Sequence, residues 1–122
     1  VLHKLIPATV SEFAKLEAGQ PYYFDHWAND RYDSPSLYYW FDSNDGAKLR
    51  HKRVVISEIH KAFQHHMYTG KFDRKSFRSC CPQSDSSGHC GFVVVGRIFE
   101  ALGVAEYSGR ENGFVKPSLP VD

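Results

Sequence analysis

Apolar residues along the second half of the chain recur with a helical period, and the period breaks at glycines. Val55, Ile59, Ala62, Phe63 and Met67 fall at that spacing, which predicts a helix over residues 54–68 ended by Gly70. Asp73 is placed to cap a short second helix from Arg74 to about Cys80, with Phe77 facing inward and Pro82 closing it. A polar loop carrying Ser84, Ser86, Ser87 and Gly88 follows over residues 83–89. Phe92, Val95, Ile98, Phe99 and Leu102 then form the stripe of a third helix over residues 91–102, stopped by Gly103. Two short strand-type segments flank Ser108-Gly109-Arg110-Glu111-Asn112-Gly113, which predicts a hairpin turning at residues 109–112.

The first half has a different texture. "PYYFDHWA" and "LYYWF" are aromatic runs of strand type, separated by a loop over residues 29–36. Asp42-Ser43-Asn44-Asp45-Gly46 is a strong turn signal. Thr9-Val10-Ser11-Glu12 fits a capping box, and Val10, Phe13, Ala14 and Leu16 would continue it as a short amphipathic helix ended by Gly19 and Pro21. The expected class is α+β, in which residues 1–53 form an N-terminal helix and aromatic strand extension packed on a unit of residues 54–122, together one compact domain. A chain of 122 residues can bury such a core without disulfides.

The segments "VVISEIHKAFQHHM", "DRKSFRSCC", "GFVVVGRIFEALGV" and "AEYSGRENGFVKP" together resemble the winged helix-turn-helix superfamily in element order and turn placement. The resemblance covers residues 54–117, about half the chain. It implies three helices plus a β-hairpin wing, and duplex DNA as the partner. The third helix would lie in the major groove with Ser86, Ser87, His89 and Arg97 at base edges, the arginine fork being suited to guanine O6 and N7. Lys71, Arg74, Lys75 and Arg78 would hold phosphates, with Arg110 and Lys116 on or near the wing. Helix N-termini offer further N–H groups to phosphate. One feature of the residues pulls the other way. The outward face of that helix falls at Val93, Val94, Arg97, Glu100 and Ala101, and two valines suit burial beneath the aromatic N-terminal segment, which would close the helix to DNA.

Charge refines this picture only through its distribution, because the net value is +1. Residues 48–78 are basic, with Lys48, Arg50, Lys52, Arg53, Lys61, Lys71, Arg74, Lys75 and Arg78 against Glu58 and Asp73. Residues 25–45 are acidic, with Asp25, Asp30, Asp33, Asp42 and Asp45. Two balanced solvated faces would give the same pattern. The aromatic segment from Tyr22 to Phe41, with Arg31 interleaved, reads mainly as core and otherwise as a stacking surface for an unpaired base.

Cys80, Cys81, His89 and Cys90 lie close together, and His65-His66 precede them. Adjacent cysteines make poor joint ligands, so no structural zinc or other cofactor is expected. The cysteines then pack as small hydrophobes and the histidines cap the helix end. A disulfide from Cys90 to Cys80 or Cys81 is sterically allowed and needs an oxidising environment. Three cysteines do not make a secreted disulfide framework, and an intracellular, reducing compartment, cytoplasmic or nuclear, is expected. No apolar run approaches the roughly 18 residues of a membrane span, and "VLHKLIPATVSEF" lacks a signal-peptide core and a starting Met, as in a piece of a longer protein. Asp73-Arg74-Lys75 has the Asp-x-Lys form of some nucleases, and Asp25-His26 with Asp30 could pair as acid and base, but no fixed geometry assigns catalytic residues. The reading is therefore a DNA-binding module, a regulator or a targeting domain of a larger protein. A protein-interaction module or homodimer on the same fold is the competing class, and a small nuclease or other hydrolase the third.

Overall fold

The computed structural model describes residues 12–13, 22–42, 49–87 and 90–117. It is a mixed α+β structure with four helices and two antiparallel sheets among these residues. Strands β1 (Glu12–Phe13), β2 (Tyr22–Asn29), β3 (Pro35–Asp42) and β4 (Leu49–Val55) form the first sheet in the order β1-β2-β3-β4. Helices α1 (Ile56–Thr69), α2 (Arg74–Cys80), α3 (Pro82–Ser87) and α4 (Gly91–Ala101) follow. Interleaved with them, β5 (Lys71–Asp73), β6 (Glu106–Ser108) and β7 (Gly113–Val115) form the second sheet in the order β5-β7-β6. None of these helices is long and apolar enough to cross a membrane.

Both aromatic runs are strands, as their composition predicts. A register shift between Phe24 and His26 leaves Asp25 as an extra residue in β2. That shift lets Phe24, opposite Tyr39, and Trp27, opposite Leu37, share the inner face although they are three residues apart. Their rings lie 5.7 Å apart against the core. His26, opposite Tyr38, falls on the other face and stacks on it at 4.9 Å with nearly parallel rings.

Three expectations for the chain's organisation need correction. Glu12 and Phe13 are not helical; they pair with Tyr23 and Tyr22 at the edge of β2. A helix this short is marginal in isolation, and pairing satisfies the backbone groups of a sheet edge that a local cap cannot reach. Thr9, Val10, Ala14 and Leu16 lie outside the described residues. Val54 and Val55 belong to β4, not to the first helix, because β3 pairs with the whole run Leu49–Val55. Its Arg, His and Lys residues disguise it as a solvated stretch. Finally, the predicted loop after Pro82 is helical over Pro82–Ser87.

The cause of α3 lies in α1. Proline fits the first helical position, and the Glu58 carboxylate accepts hydrogen bonds from Gln83 N–H (3.0 Å), Ser84 N–H (2.8 Å) and Ser84 Oγ (2.7 Å). A side chain 25 residues away thus caps α3. The helix in turn seals β4, whose outer edge would otherwise be open. Val55 N–H donates to Ser84 Oγ at 2.9 Å and Arg53 N–H donates to Ser87 Oγ at 3.2 Å. Serines three apart on a helix turn meet alternate N–H groups of a strand edge.

Helix boundaries elsewhere follow the sequence. Gly70, with φ 83°, ends α1, Asp73 caps α2 through its bond from Ser76 N–H, and Gly103, with φ 80°, follows α4. His66 does not cap the end of α1. It is fully buried, stacks on Phe99, and donates from Nε2 to the Val104 carbonyl at 2.7 Å, so it ties α1 to the α4–β6 connection. One buried cluster joins Leu37, Tyr39 and Val54 of the first sheet to Ile59, Phe72, Phe77, Phe114 and the α4 residues Phe92, Val94 and Phe99. The Phe72 ring touches Phe77, Phe92, Phe99 and Phe114 at centroid distances of 5.3–6.4 Å. The two halves of the chain therefore share a core.

Candidate nucleic-acid interface

The cations of α2 are the predicted site residues that meet the solvent together. Arg74, Lys75 and Arg78 are all exposed, and their spacing places them along one side of a two-turn helix. Arg74 and Arg78 line a shallow hollow with Phe77 and Asp85. The Arg74 guanidinium sits 4.7 Å over the Phe92 ring, which holds it at the start of α4. Lys71 precedes this face but is shared among carboxylates, 3.5 Å from Glu111 and 4.0 Å from Asp73. Arg110 is exposed on the β6–β7 turn, which occupies the predicted position, and Lys116 is exposed just after β7. Lys116 N–H bonds to the Gly70 carbonyl at 3.2 Å, so it sits over the α1–β5 turn.

The predicted base readers do not assemble into a groove-reading surface. Eight of the eleven residues of α4 are buried, including Val93 and Val94, and the helix packs against β1, β4 and β6. A helix apolar on all sides belongs in a core. Arg97, half-buried, is bonded to Glu100 Oε1 at 2.6 Å and lies 5.8 Å over the Phe114 ring. Ser87 serves the β4 edge, and Ser86, though exposed, donates to the Gln83 carbonyl at 2.7 Å. His89 lies outside the described residues. The two outward valines were the signal in the sequence that this helix is covered.

The thiols sit beside this face without converging on it. All three are free. Cys81 is buried and donates to the Glu58 carbonyl at 3.3 Å, and burial pushes both Cys80 and Cys81 thiols above their ordinary range. Cys90 Sγ lies 3.8 Å from Lys52 Nζ.

Two carboxylates fix the scaffold around the cations. Burial raises the Asp73 carboxyl, but bonds from Ser76 N–H and Oγ, both 2.8 Å, and the charge of Lys71 outweigh it and leave it below its ordinary 3.8. Asp30 is held below that value by the Ser34 N–H, against desolvation, with help from Arg53 and the Tyr32 N–H. Both pKa values are depressed on folding, so the unfolded chain takes up protons first. The stability these groups contribute is present above 3.8 and is lost as pH falls through their lower folded values. Asp73→Ala should lower stability at neutral pH by about 1 kcal/mol, and its denaturation midpoint should fall less on acidification than that of the wild-type chain. Urea titrations at neutral and acid pH check this; an unchanged acid dependence would show that Asp73 is not the titrating cap.

Comparison of the chain with protein-family models, with curated proteins and with solved structures finds no match.

Proposed function

We propose that the chain is a duplex-DNA-binding module built on a winged helix unit, and that it grips phosphates with α2 instead of reading bases with α4. Support for the unit comes from element order and pairing. Helix α1, β5, α2, α3, α4 and the β6–β7 hairpin follow one another, and β5 pairs with β7 as the third strand beside the wing. The observation that carries the binding mode is the row of exposed cations Arg74, Lys75 and Arg78, with Arg110 and Lys116 beyond it, next to an α4 whose outer face is covered. Cations without an adjacent base reader make backbone contacts, which position a protein on a duplex with little sequence preference. Such a module suits a targeting domain or a regulator that takes its specificity from elsewhere.

Affinity for any duplex should fall steeply with salt. Removing Arg74, Lys75 or Arg78 singly should flatten the log–log salt slope by about 0.9 each and weaken matched and scrambled duplexes alike. Arg97→Ala should lower the melting temperature through its Glu100 and Phe114 contacts and leave base preference unchanged. Fluorescence anisotropy at two salt concentrations measures the slopes and the base preference, and a thermal melt measures the stability of Arg97→Ala. No binding of the folded chain to duplex at low salt would retire this function and promote the competing one, a protein-contact module. That second reading has its own observation, the fully solvated Tyr68 beside exposed Met67 on the last turn of α1.

A further inference from the structure

A second cationic site shares no lining residue with the Arg74–Arg78 hollow and lies where the β2–β3 turn, β4 and the end of α3 surround about 310 Å³. Its walls carry Arg31, Lys52, Arg53, Tyr38, Ser86 and Ser87, with Asp30 the one carboxylate among the described lining residues. The described lining residues thus bring three cationic side chains to one place. The arrangement is held from several sides. Asp30 Oδ1 accepts from Tyr32 N–H (2.9 Å) and Ser34 N–H (3.0 Å) and shapes the turn. Its Oδ2 accepts from Arg53 Nε at 2.8 Å, and Arg53 Nη1 reaches the Gln83 carbonyl at 3.0 Å. Those two bonds orient the Arg53 fork, which has five N–H donors. Asp30 and Arg53 are mostly buried, with side-chain exposures of 2% and 12%. At the rim, the exposed Arg31 guanidinium lies 5.0 Å over the Tyr32 ring.

We propose that this hollow binds the phosphomonoester of a nucleotide. Three cationic side chains around one hollow suit a phosphate dianion better than the single charge of a phosphodiester, and guanidinium and ammonium N–H groups are donors of the kind phosphate accepts. Tyr38, which lines the hollow, is also the base of the stack that carries half-exposed His26. An attached nucleobase would find an aromatic platform next to its phosphate. The inference rests on the nucleic-acid reading, and deepens it by naming a strand end as what the second site takes.

The test uses the whole chain with three probes: a short single-stranded oligonucleotide carrying a 5′-phosphate, the same strand with a 5′-hydroxyl, and a nucleoside 5′-monophosphate. The 5′-phosphate strand should bind roughly tenfold more tightly than its hydroxyl counterpart, a gain in keeping with charge-assisted hydrogen bonds to a terminal phosphate. Arg31→Ala and Lys52→Gln should each erase that preference with unchanged melting temperature. Lys75→Ala should weaken both strands equally and leave their ratio intact. A monophosphate that binds wild type, is lost in Arg31→Ala, and is not improved by attachment to a strand supports the site with free nucleotides as its source. Equal affinity for the phosphate and hydroxyl strands with no monophosphate binding overturns the proposal. The duplex measurement above stands or falls separately, because its contacts lie on α2.

Discussion

Gly96→Ala should be among the most damaging single-methyl additions this fold can receive. An alanine in a helix interior is ordinarily worth about 1 kcal/mol over glycine, so a simple reading would expect stabilisation. Here a Cβ at position 96 would lie 2.0, 2.2 and 2.4 Å from three carbons of the Phe114 ring, where ordinary contact begins at 3.4 Å. The ring cannot retreat freely. It is fully buried between Phe72, Phe92 and Tyr107, and Arg97 lies over it. Either β7 moves off α4 or the ring leaves its site, and both open the junction between the second sheet and the central helix. Overpacking of this kind costs about 1–3 kcal/mol and occasionally more. The expected net loss is about 2 kcal/mol, or roughly 6–10 °C in melting temperature for a chain of this size. Phe114→Leu removes ring atoms at the point of collision, so the double variant should lose clearly less than the sum of the two singles. Thermal melts of the four proteins give the coupling directly. Additive losses, or a Gly96→Ala chain as stable as wild type, would mean that the ring does not rest on the helix backbone.

The elements that were legible in the sequence are those whose cause is local. Gly70, Asp73 and Gly103 each act on their own helix end, and the structure places them there. The Phe and Val stripe of α4 and the turn residues before Gly113 work within a few positions, and both elements form where the pattern puts them. What stayed hidden has a distant cause. Strand β4 exists because β3 pairs with it, against a basic composition that reads as surface. Helix α3 exists because a glutamate on α1 caps it and a strand edge, 29 residues away at Val55, binds its serine. The β2 bulge at Asp25 shows only in the register with β3. The site divides along the same line. Exposure of Arg74, Lys75 and Arg78 follows from helical spacing about Phe77. Arg97 is taken up by Glu100 and by the Phe114 ring of β7, and the covering of α4 by β1 and β4 had Val93 and Val94 as its local hint. The hollow around Arg31, Lys52 and Arg53 draws on three separate segments, and no spacing rule would have collected them.

Glu58→Ala should therefore remove α3 from the fold and not merely loosen it. The side chain is 2% exposed, and its two oxygens accept all three of the bonds that start α3. Truncation leaves the buried Ser84 N–H without its partner, at about 1–3 kcal/mol for a buried donor left unpaired, and the part-buried Gln83 N–H at less. Water could enter the vacated space and recover part of this, and the desolvation of the carboxylate is relieved, so a loss of about 2–4 kcal/mol is expected. Glu58→Gln keeps the shape and one acceptor oxygen but turns an NH2 group toward one of the donors, so it should fall between wild type and alanine. The consequence reaches beyond α3. Ser84 Oγ, freed from Glu58, must still accept from Val55 N–H, and Ser87 Oγ from Arg53 N–H, to keep the edge of β4 covered. Hydrogen exchange should thus accelerate at Arg53 and Val55 as well as at Gln83 and Ser84, while the Phe72–Phe114 strand pair, held by its own ladder, keeps its protection. Exchange that rises uniformly over the chain would show that Glu58 supports global stability alone. Exchange unchanged at Arg53 and Val55 would show that β4 does not depend on α3 for its edge.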